Sequence, residues 1–317
     1  MPSPVLIAVD GPTASVWHDE FRRAAPEREY RVWNAAQGEA LDEIVYACVW
    51  RPPAGLLARL PRLQVIFNLA AGVDPLLADP TLPDVPIVRT VHPNLTMRMV
   101  EYVVLHVLMH HRGQRTYDAQ QRDRVWHGHE HPAASEVTVG IMGVGAIGTA
   151  IAAVLRQIGY NVIGWSRTPK TMPGVEVHAG PGGLDAFLAH TEILVCLLPH
   201  TRDTEGIVNL PLLRRLKHDG ALGGAYLINA GRGKLQVDAD ILAALDQGAI
   251  AGASLDVFPV EPLPPENPLW GHPNVIVTPH NAGDLSPPVL VQGVLQQMRR
   301  REQGLPLEHV VDRTRGY

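Results

Sequence analysis

Short apolar runs alternate with amphipathic stretches along almost the whole chain, the rhythm expected of α/β structure built on parallel sheets. VLIAV (5–9), IVYACVW (44–50) and QVIFNLA (64–70) predict strands, and PAGLLARL (53–60) predicts a helix with a proline in its first turn. A long helix is expected over 95–112, where Val100, Val103, Val104, Val107 and Leu108 recur at helical spacing. The polar loop WHGHEHP (126–132) follows it. From Glu136 onward come six more strand candidates, VTVGIM, NVIGW, EILVCLL, AYLIN, GASLDV and VIVTP, short and apolar as strands buried on both faces should be. A last helix is predicted near 288–303. The order implies two doubly wound α/β domains, with a cofactor domain (99–281) inserted into a smaller one made of 1–98 and 282–317.

Composition narrows the class without naming it. A chain of 317 residues, 46% hydrophobic, can bury two ordinary cores, and it carries no internal repeats or low-complexity tracts. Its net charge of −5, without a long basic run, speaks against nucleic acid or anionic membrane as partners. The triplet Arg299–Arg301 reads as a solvated helix end. No apolar run has the length of a membrane span, and the start lacks the pattern of a signal peptide, so a cytoplasmic location is expected. Cys48 and Cys196 each lie inside an apolar run without CxxC spacing, which predicts buried free thiols.

The stretch VTVGIMGVGAIGTAIAAVLRQIG (137–159) carries the first chemistry. Gly143, Gly145 and Gly148 stand in G-x-G-x-x-G spacing between a strand and a helix, with Ala146 and Ile147 opening that helix. Such a loop permits a tight turn, a close approach of backbone to a pyrophosphate and a helix N-terminus aimed at it, which predicts a Rossmann dinucleotide fold. At the end of the second strand, where an NAD site places an acid, the chain reads Trp165, Ser166, Arg167, with Lys170 nearby. A guanidinium pairs well with a phosphate and a hydroxyl adds a donor, so the expected cofactor is NADP, with NAD the weaker alternative.

Three later strand ends carry polar groups that burial alone does not require: NAGRG (229–233), DVFPVE (256–261) and PHNAG (279–283). Carboxyl ends of strands in an open α/β sheet converge on the ligand crevice, so Arg232, Glu261 and His280 are expected to meet there and to serve proton transfer beside an anionic substrate.

These residues, with NLAAGVD (68–74), MVEYVV (99–104), GVGAIG (143–148), CLLPHTRDTEGIVN (196–209), DVFPVEPLP and TPH, give a chain that resembles the D-2-hydroxyacid dehydrogenase family over essentially its full length. WSRTPK, PGVEVHAG and VDRTRGY are most similar to its glyoxylate/hydroxypyruvate reductase branch. The resemblance implies a Rossmann domain inserted into a flavodoxin-like substrate domain, usually in a homodimer. It implies NADPH-dependent reduction of small 2-keto acids, glyoxylate and hydroxypyruvate, to glycolate and D-glycerate. His280 would then donate the proton, Glu261 would orient and favour the imidazolium, and Arg232 would clamp the substrate carboxylate. Backbone amides of Ala71, Gly72 and Val73 would hold the same carboxylate. Leu198, Pro199 and Thr204 would line the cofactor groove, with Ala230, Gly231 and Asp256 near the nicotinamide. Trp50 and Trp126 would bound the pocket, Trp126 by reaching a neighbouring subunit; core packing is the other reading of each.

Other features are weaker. His127, His129 and His131 alternate in HGHEH, but without a convergent partner this is a polar loop rather than a metal site, and no metal is expected. His200 is not given a catalytic role. After TPH the chain departs from the family pattern, reading Asn281-Ala282-Gly283 and later Ser286, which leaves substrate preference open. The alternatives are a larger substrate such as phenylpyruvate, or a non-catalytic NAD(P)-sensing protein of the corepressor type. Arg232, Glu261 and His280 together count against a sensor, which needs no proton donor.

Overall fold

The computed structural model describes residues 3–10, 14–34 and 41–314. The chain forms two compact units, one of 1–93 with 285–317 and a second of 94–284.

In the first unit a parallel sheet of β1 (Val5–Val9), β2 (Tyr30–Val32), β3 (Tyr46–Trp50), β4 (Val65–Asn68) and β5 (Ile87–Arg89) runs in the order β2-β1-β3-β4-β5. This 2-1-3-4-5 order is the flavodoxin-like form of a doubly wound sheet. Leu6, Ala47, Val49, Ile66 and Ile87 are buried in one cluster, which is why β1, β3 and β4 read as unbroken apolar runs. Helix α1 (Ala14–Ala24) buries Trp17 and Phe21, one turn apart, and the short α2 (Asp74–Leu77) follows β4. Strands β2 and β5 have three residues each, too few for periodicity to reveal. The helix expected over 53–60 is absent: only Leu57–Arg59 makes a single 3-10 turn. Gly55 there adopts φ 77°, and so short a segment cannot offset the cost of helix nucleation, although Leu57 and Leu60 are buried.

The second unit opens with α3 (Pro93–His111), whose first residue stands at the boundary between the units, and continues with α4 (Gln114–Asp123). Its parallel sheet holds β6 (Thr138–Met142), β7 (Asn161–Ser166), β8 (Glu176–Ala179), β9 (Ile193–Cys196), β10 (Tyr226–Asn229), β11 (Gly252–Leu255) and β12 (Val275–Val277). Helices α5 (Ala146–Ile158), α6 (Gly180–His190), α7 (Leu210–Leu213) and α8 (Asp238–Asp246) connect them. The order β12-β11-β10-β9-β6-β7-β8 is the Rossmann order with one added strand. Six strands were expected and seven form; β8 is missed because no residue of Glu176–Ala179 is fully buried. Helix α4 is missed for the same kind of reason, since it buries no residue.

The chain then returns to the first unit as α9 (Pro287–Glu302), where Arg28 donates to both carboxylate oxygens of Glu302 at 2.8 and 2.7 Å. Arg299–Arg301 form the last turn of α9, where cations complement the helix dipole. Both cysteines are buried and free, and burial pushes the Cys196 thiol up to about 12. Among the described residues no helix is long and apolar enough to cross a membrane.

Helix α3 also buries Tyr102, His106, His110 and His111 beside its valines. Burial, with His106 nearby, pushes the His110 ring down to about 3, and its Nε2 lies 2.9 Å from Ser254 Oγ. Below its ordinary value of 6.5 this ring takes up a proton in the unfolded chain but not in the folded one until pH nears 3. The unfolded state then binds more protons, so stability is intact above pH 6.5 and is lost progressively below it. At pH 5 the loss from this ring is about 2 kcal/mol. A His110→Gln variant should therefore lose less of its urea midpoint between pH 7 and about 5 than the parent chain; an equal loss in both would remove His110 as the cause.

Candidate active site

Strand β6 lies between β9 and β7, at the place where the strand order reverses and open α/β sheets bind ligands. Its carboxyl end enters the glycine loop. Gly143 has φ 117°, and a Cβ there would meet the Leu197 carbonyl oxygen at 2.9 Å; one on Gly148 would meet the Gly143 carbonyl oxygen at 2.3 Å. Those two positions are closed by the protein itself. Gly145 differs, for a Cβ built on it meets no atom within 4 Å, and Gly145 and Ala146 are exposed at the start of α5. The open space lies over a helix N-terminus, where the amides of Ala146 and Ile147 begin the first turn, so the loop fits a pyrophosphate.

Adjacent parallel strands β10, β11 and β12 place their carboxyl ends side by side. His280 and Glu261 meet there, with Nδ1 2.9 Å from Oε2, and Glu261 Oε1 accepts from the Phe258 amide at 3.0 Å. A carboxylate only accepts, so the His280 Nδ1–H donates and its Nε2 is the atom left to exchange a proton with substrate. The histidine side chain is 43% exposed and that of Glu261 16%, so the partner is fixed while the ring can be reached. Arg232 follows β10, half-buried, its Nη1 donating to the Gly231 carbonyl at 2.6 Å. Asn229 shapes this turn, accepting from the Gly231 amide at 3.1 Å and donating to the Arg232 carbonyl at 3.3 Å and to Gln236 Oε1 at 2.7 Å.

His280 is held in an uncommon backbone conformation, φ 54°, which a non-glycine residue keeps only where its surroundings enforce it. Asp256 supplies the enforcement. Fully buried after β11, it accepts from Thr278 Oγ1 at 2.7 Å and from the amides of Asn281 and Ala282 at 3.0 Å each. The acid expected beside the cofactor thus clamps both sides of the histidine, a part that its place in the sequence does not disclose. Thr278 and its further partner Tyr102, whose hydroxyl lies 2.9 Å away, stand in the motifs TPH and MVEYVV, but no role was expected for either.

At the end of β7 the expected phosphate-binding group divides. Arg167 is exposed, its Nη1 3.9 Å from Asp203 Oδ2. Lys170 donates to the Val144 carbonyl at 3.1 Å and so ties this segment to the glycine loop. Ser166 is buried, and its hydroxyl donates to the Thr168 carbonyl at 2.7 Å. This corrects the expectation of a phosphate donor, because the single proton is already spent on the turn that carries Arg167. The Trp165 ring belongs to the core and its Nε1 donates to the Gly180 carbonyl at 3.0 Å, so this side chain, too, is structural.

After β9, Leu198 is buried, and Thr204 donates to the Pro199 carbonyl at 2.8 Å while accepting from the Thr201 amide at 2.8 Å, closing the loop. Ala230 is buried beside Gly231. Trp126 is fully exposed, which disposes of core packing, and Val125 beside it is exposed as well. His131 Nε2 lies 3.0 Å from the Tyr117 hydroxyl and His129 Nε2 2.7 Å from Gln120 Nε2; among the described residues no cluster of three or more metal-ligating side chains forms. A cleft of about 590 Å³ lined by Arg156, Tyr160, Glu176 and His178 opens at the amino ends of β6, β7 and β8, opposite to the strand ends that carry the chemistry.

In the first unit, Asn68 Nδ2 donates to the carbonyls of Ala70 and Gly72 at 2.7 and 2.8 Å, which folds the loop containing Ala71, Gly72 and Val73. Trp50 ends β3, partly exposed, with the Arg51 guanidinium 5.3 Å from its ring centroid.

Residues 104–282 match the model of the D-isomer specific 2-hydroxyacid dehydrogenase, NAD binding domain. The chain is 38% identical over 310 residues to glyoxylate/hydroxypyruvate reductase A of Yersinia enterocolitica, covering 96% of each. Its fold is similar to that of the NADPH-dependent glyoxylate/hydroxypyruvate reductase of Sinorhizobium meliloti solved with NADP and sulfate, with 46% identity, TM-score 0.94 and 99% and 100% of the two chains covered. It is similar also to a D-isomer specific 2-hydroxyacid dehydrogenase of Xanthobacter autotrophicus solved with NADPH and MES, at 39% identity and TM-score 0.92, with both chains covered completely. With its His280–Glu261 pair, glycine loop and two parallel-sheet units in this company, the chain belongs to the D-isomer specific 2-hydroxyacid dehydrogenase family.

Proposed function

We propose that this chain reduces small 2-keto acids, glyoxylate and hydroxypyruvate, to the corresponding 2-hydroxy acids with NADPH as the hydride donor. The observation that carries the proposal is the His280–Glu261 pair, 2.9 Å apart, on strand ends adjoining that of Arg232. The resemblance to reductases named for those two acids supplies the substrate class. When bound, the cofactor supplies a hydride to the keto carbon, and negative charge develops on the keto oxygen. His280 Nε2 donates a proton to that oxygen, and Glu261, accepting from Nδ1, keeps the ring oriented for the transfer. Arg232 clamps the substrate carboxylate and fixes the keto group relative to the ring. The backbone amides of Ala71, Gly72 and Val73 are proposed as further donors to the carboxylate, and Trp50 as a limit on substrate size.

Gly145, Ala146 and Ile147 would receive the pyrophosphate, and Arg167 the 2′-phosphate, with Lys170 holding the intervening segment in place. Leu198, Pro199, Ala230 and Gly231 would line the groove. The exposed Trp126 and Val125 suit burial against a second copy of the chain, so a homodimer is part of the proposal, as is a cytoplasmic location. Loss of NADPH and NADH absorbance with glyoxylate, hydroxypyruvate, pyruvate and phenylpyruvate tests the reading. Turnover should be fastest with NADPH and with glyoxylate or hydroxypyruvate. Preference for phenylpyruvate would enlarge the substrate class, and no turnover with any acid would remove the enzymatic reading.

A further inference from the structure

Thr278 Oγ1 donates its single proton to Asp256 Oδ1 at 2.7 Å, so the Tyr102 hydroxyl, 2.9 Å from the same Oγ1, must donate to it. The result is a directed chain, Tyr102 to Thr278 to Asp256, that joins α3 to the carboxylate holding the amides of Asn281 and Ala282. Tyr102 is almost fully buried, its ring lies 4.0 Å from that of His106, and burial pushes its phenol up, keeping the O–H proton in place as a donor. Without the tyrosine hydroxyl, the half-buried Thr278 oxygen would lose its donor. Its hydroxyl could then turn, and Asp256 would be left with the two amides alone.

We propose that Tyr102 is a positioning residue for His280, acting through Thr278 and Asp256 to hold the left-handed backbone that presents the ring to Glu261. The geometry stands without reference to substrate; its effect on turnover rests on the reductase reading above. A leucine or phenylalanine would satisfy the packing demand at this position on α3, so the hydroxyl is what needs a reason. That reason lies in the unusual backbone of His280, which has no glycine to relieve it and depends on the flanking amides being fixed.

The experiment compares Tyr102→Phe, Thr278→Val and Thr278→Ser with the parent protein. Hydrogen exchange of the peptide covering 279–285, measured without cofactor, should quicken about tenfold in Tyr102→Phe and Thr278→Val, consistent with a lost bond of about 1.4 kcal/mol, and stay near the parent rate in Thr278→Ser. Peptides from β6 and β10 should be unchanged. In the assay with NADPH and glyoxylate, Tyr102→Phe should lower kcat several-fold with little change in the KM for NADPH. Tyr102→Phe combined with Thr278→Val should be no worse than Thr278→Val alone, because both break one chain. Unchanged exchange at 279–285, or acceleration spread equally over β6 and β10, would overturn the proposal. Absence of turnover in the parent protein would sink the reductase reading while leaving the exchange result to decide the role of Tyr102.

Discussion

Replacing His280 with alanine is expected to lower kcat for glyoxylate reduction by about 10²–10⁴-fold while NADPH still binds, because the group that donates the proton to the keto oxygen is gone. The backbone complicates a single substitution. At φ 54° an alanine is more strained than the histidine it replaces, so the loop after β12 could relax for reasons unrelated to proton transfer. Asparagine tolerates the left-handed region well and cannot act as the acid, so His280→Asn separates the two effects. Equal losses in both variants, with cofactor affinity retained, identify the ring as the proton donor. If either variant turns over near the parent rate, another group must donate the proton.

The strand ends were legible because apolar runs stop there and polar side chains appear where burial offers no reason for them. NAGRG, DVFPVE and PHNAG were found in this way, and the glycine loop by spacing between a strand and a helix. What escaped was structure without that contrast. Strands β2 and β5 are three residues long, β8 has no fully buried residue, and α4 buries nothing, so none gives a periodic signal. The opposite error occurred at 53–60, where leucines at helical spacing are buried without a helix. Within the site, partnerships made at long range were hidden: Tyr102 and Thr278 are 176 positions apart, and Asp256 faces residues 22 to 26 positions onward. Residue type predicted that Asp256 and Ser166 would be functional; only the hydrogen-bond partners show one clamping the histidine and the other folding a turn. The same partners weaken the sensor alternative. A clamp on a left-handed histidine, with a carboxylate placed on its Nδ1, is an arrangement that cofactor binding alone does not require.

Arg167→Asp should reverse the cofactor preference. Arg167 is exposed at the end of β7, and its neighbour Asp203, at 3.9 Å, is exposed too, so the pair adds little stability and leaves the guanidinium available to a phosphate. Hydrogen bonds to charged groups contribute about 1.5–3 kcal/mol each, so losing a bidentate contact to the 2′-phosphate should weaken NADPH by about 10²-fold or more. The new carboxylate adds repulsion toward the phosphate and can accept from the ribose hydroxyls of NADH, the role an acid plays at this strand end in NAD sites. The ratio of kcat/KM for NADPH over NADH should then fall by about 10³-fold, with kcat on NADH little changed. In the parent protein Lys170 gives one of its three N–H donors to the Val144 carbonyl and Ser166 gives its proton to Thr168, which leaves the exposed guanidinium of Arg167 as the group tested by this substitution. The charge of Arg167 also predicts that raising salt weakens NADPH more than NADH in the parent protein and less than NADH in the variant, where salt screens the repulsion between the carboxylate and the phosphate. A ratio that stays within about threefold of the parent value at low salt would remove Arg167 as the reader of the 2′-phosphate.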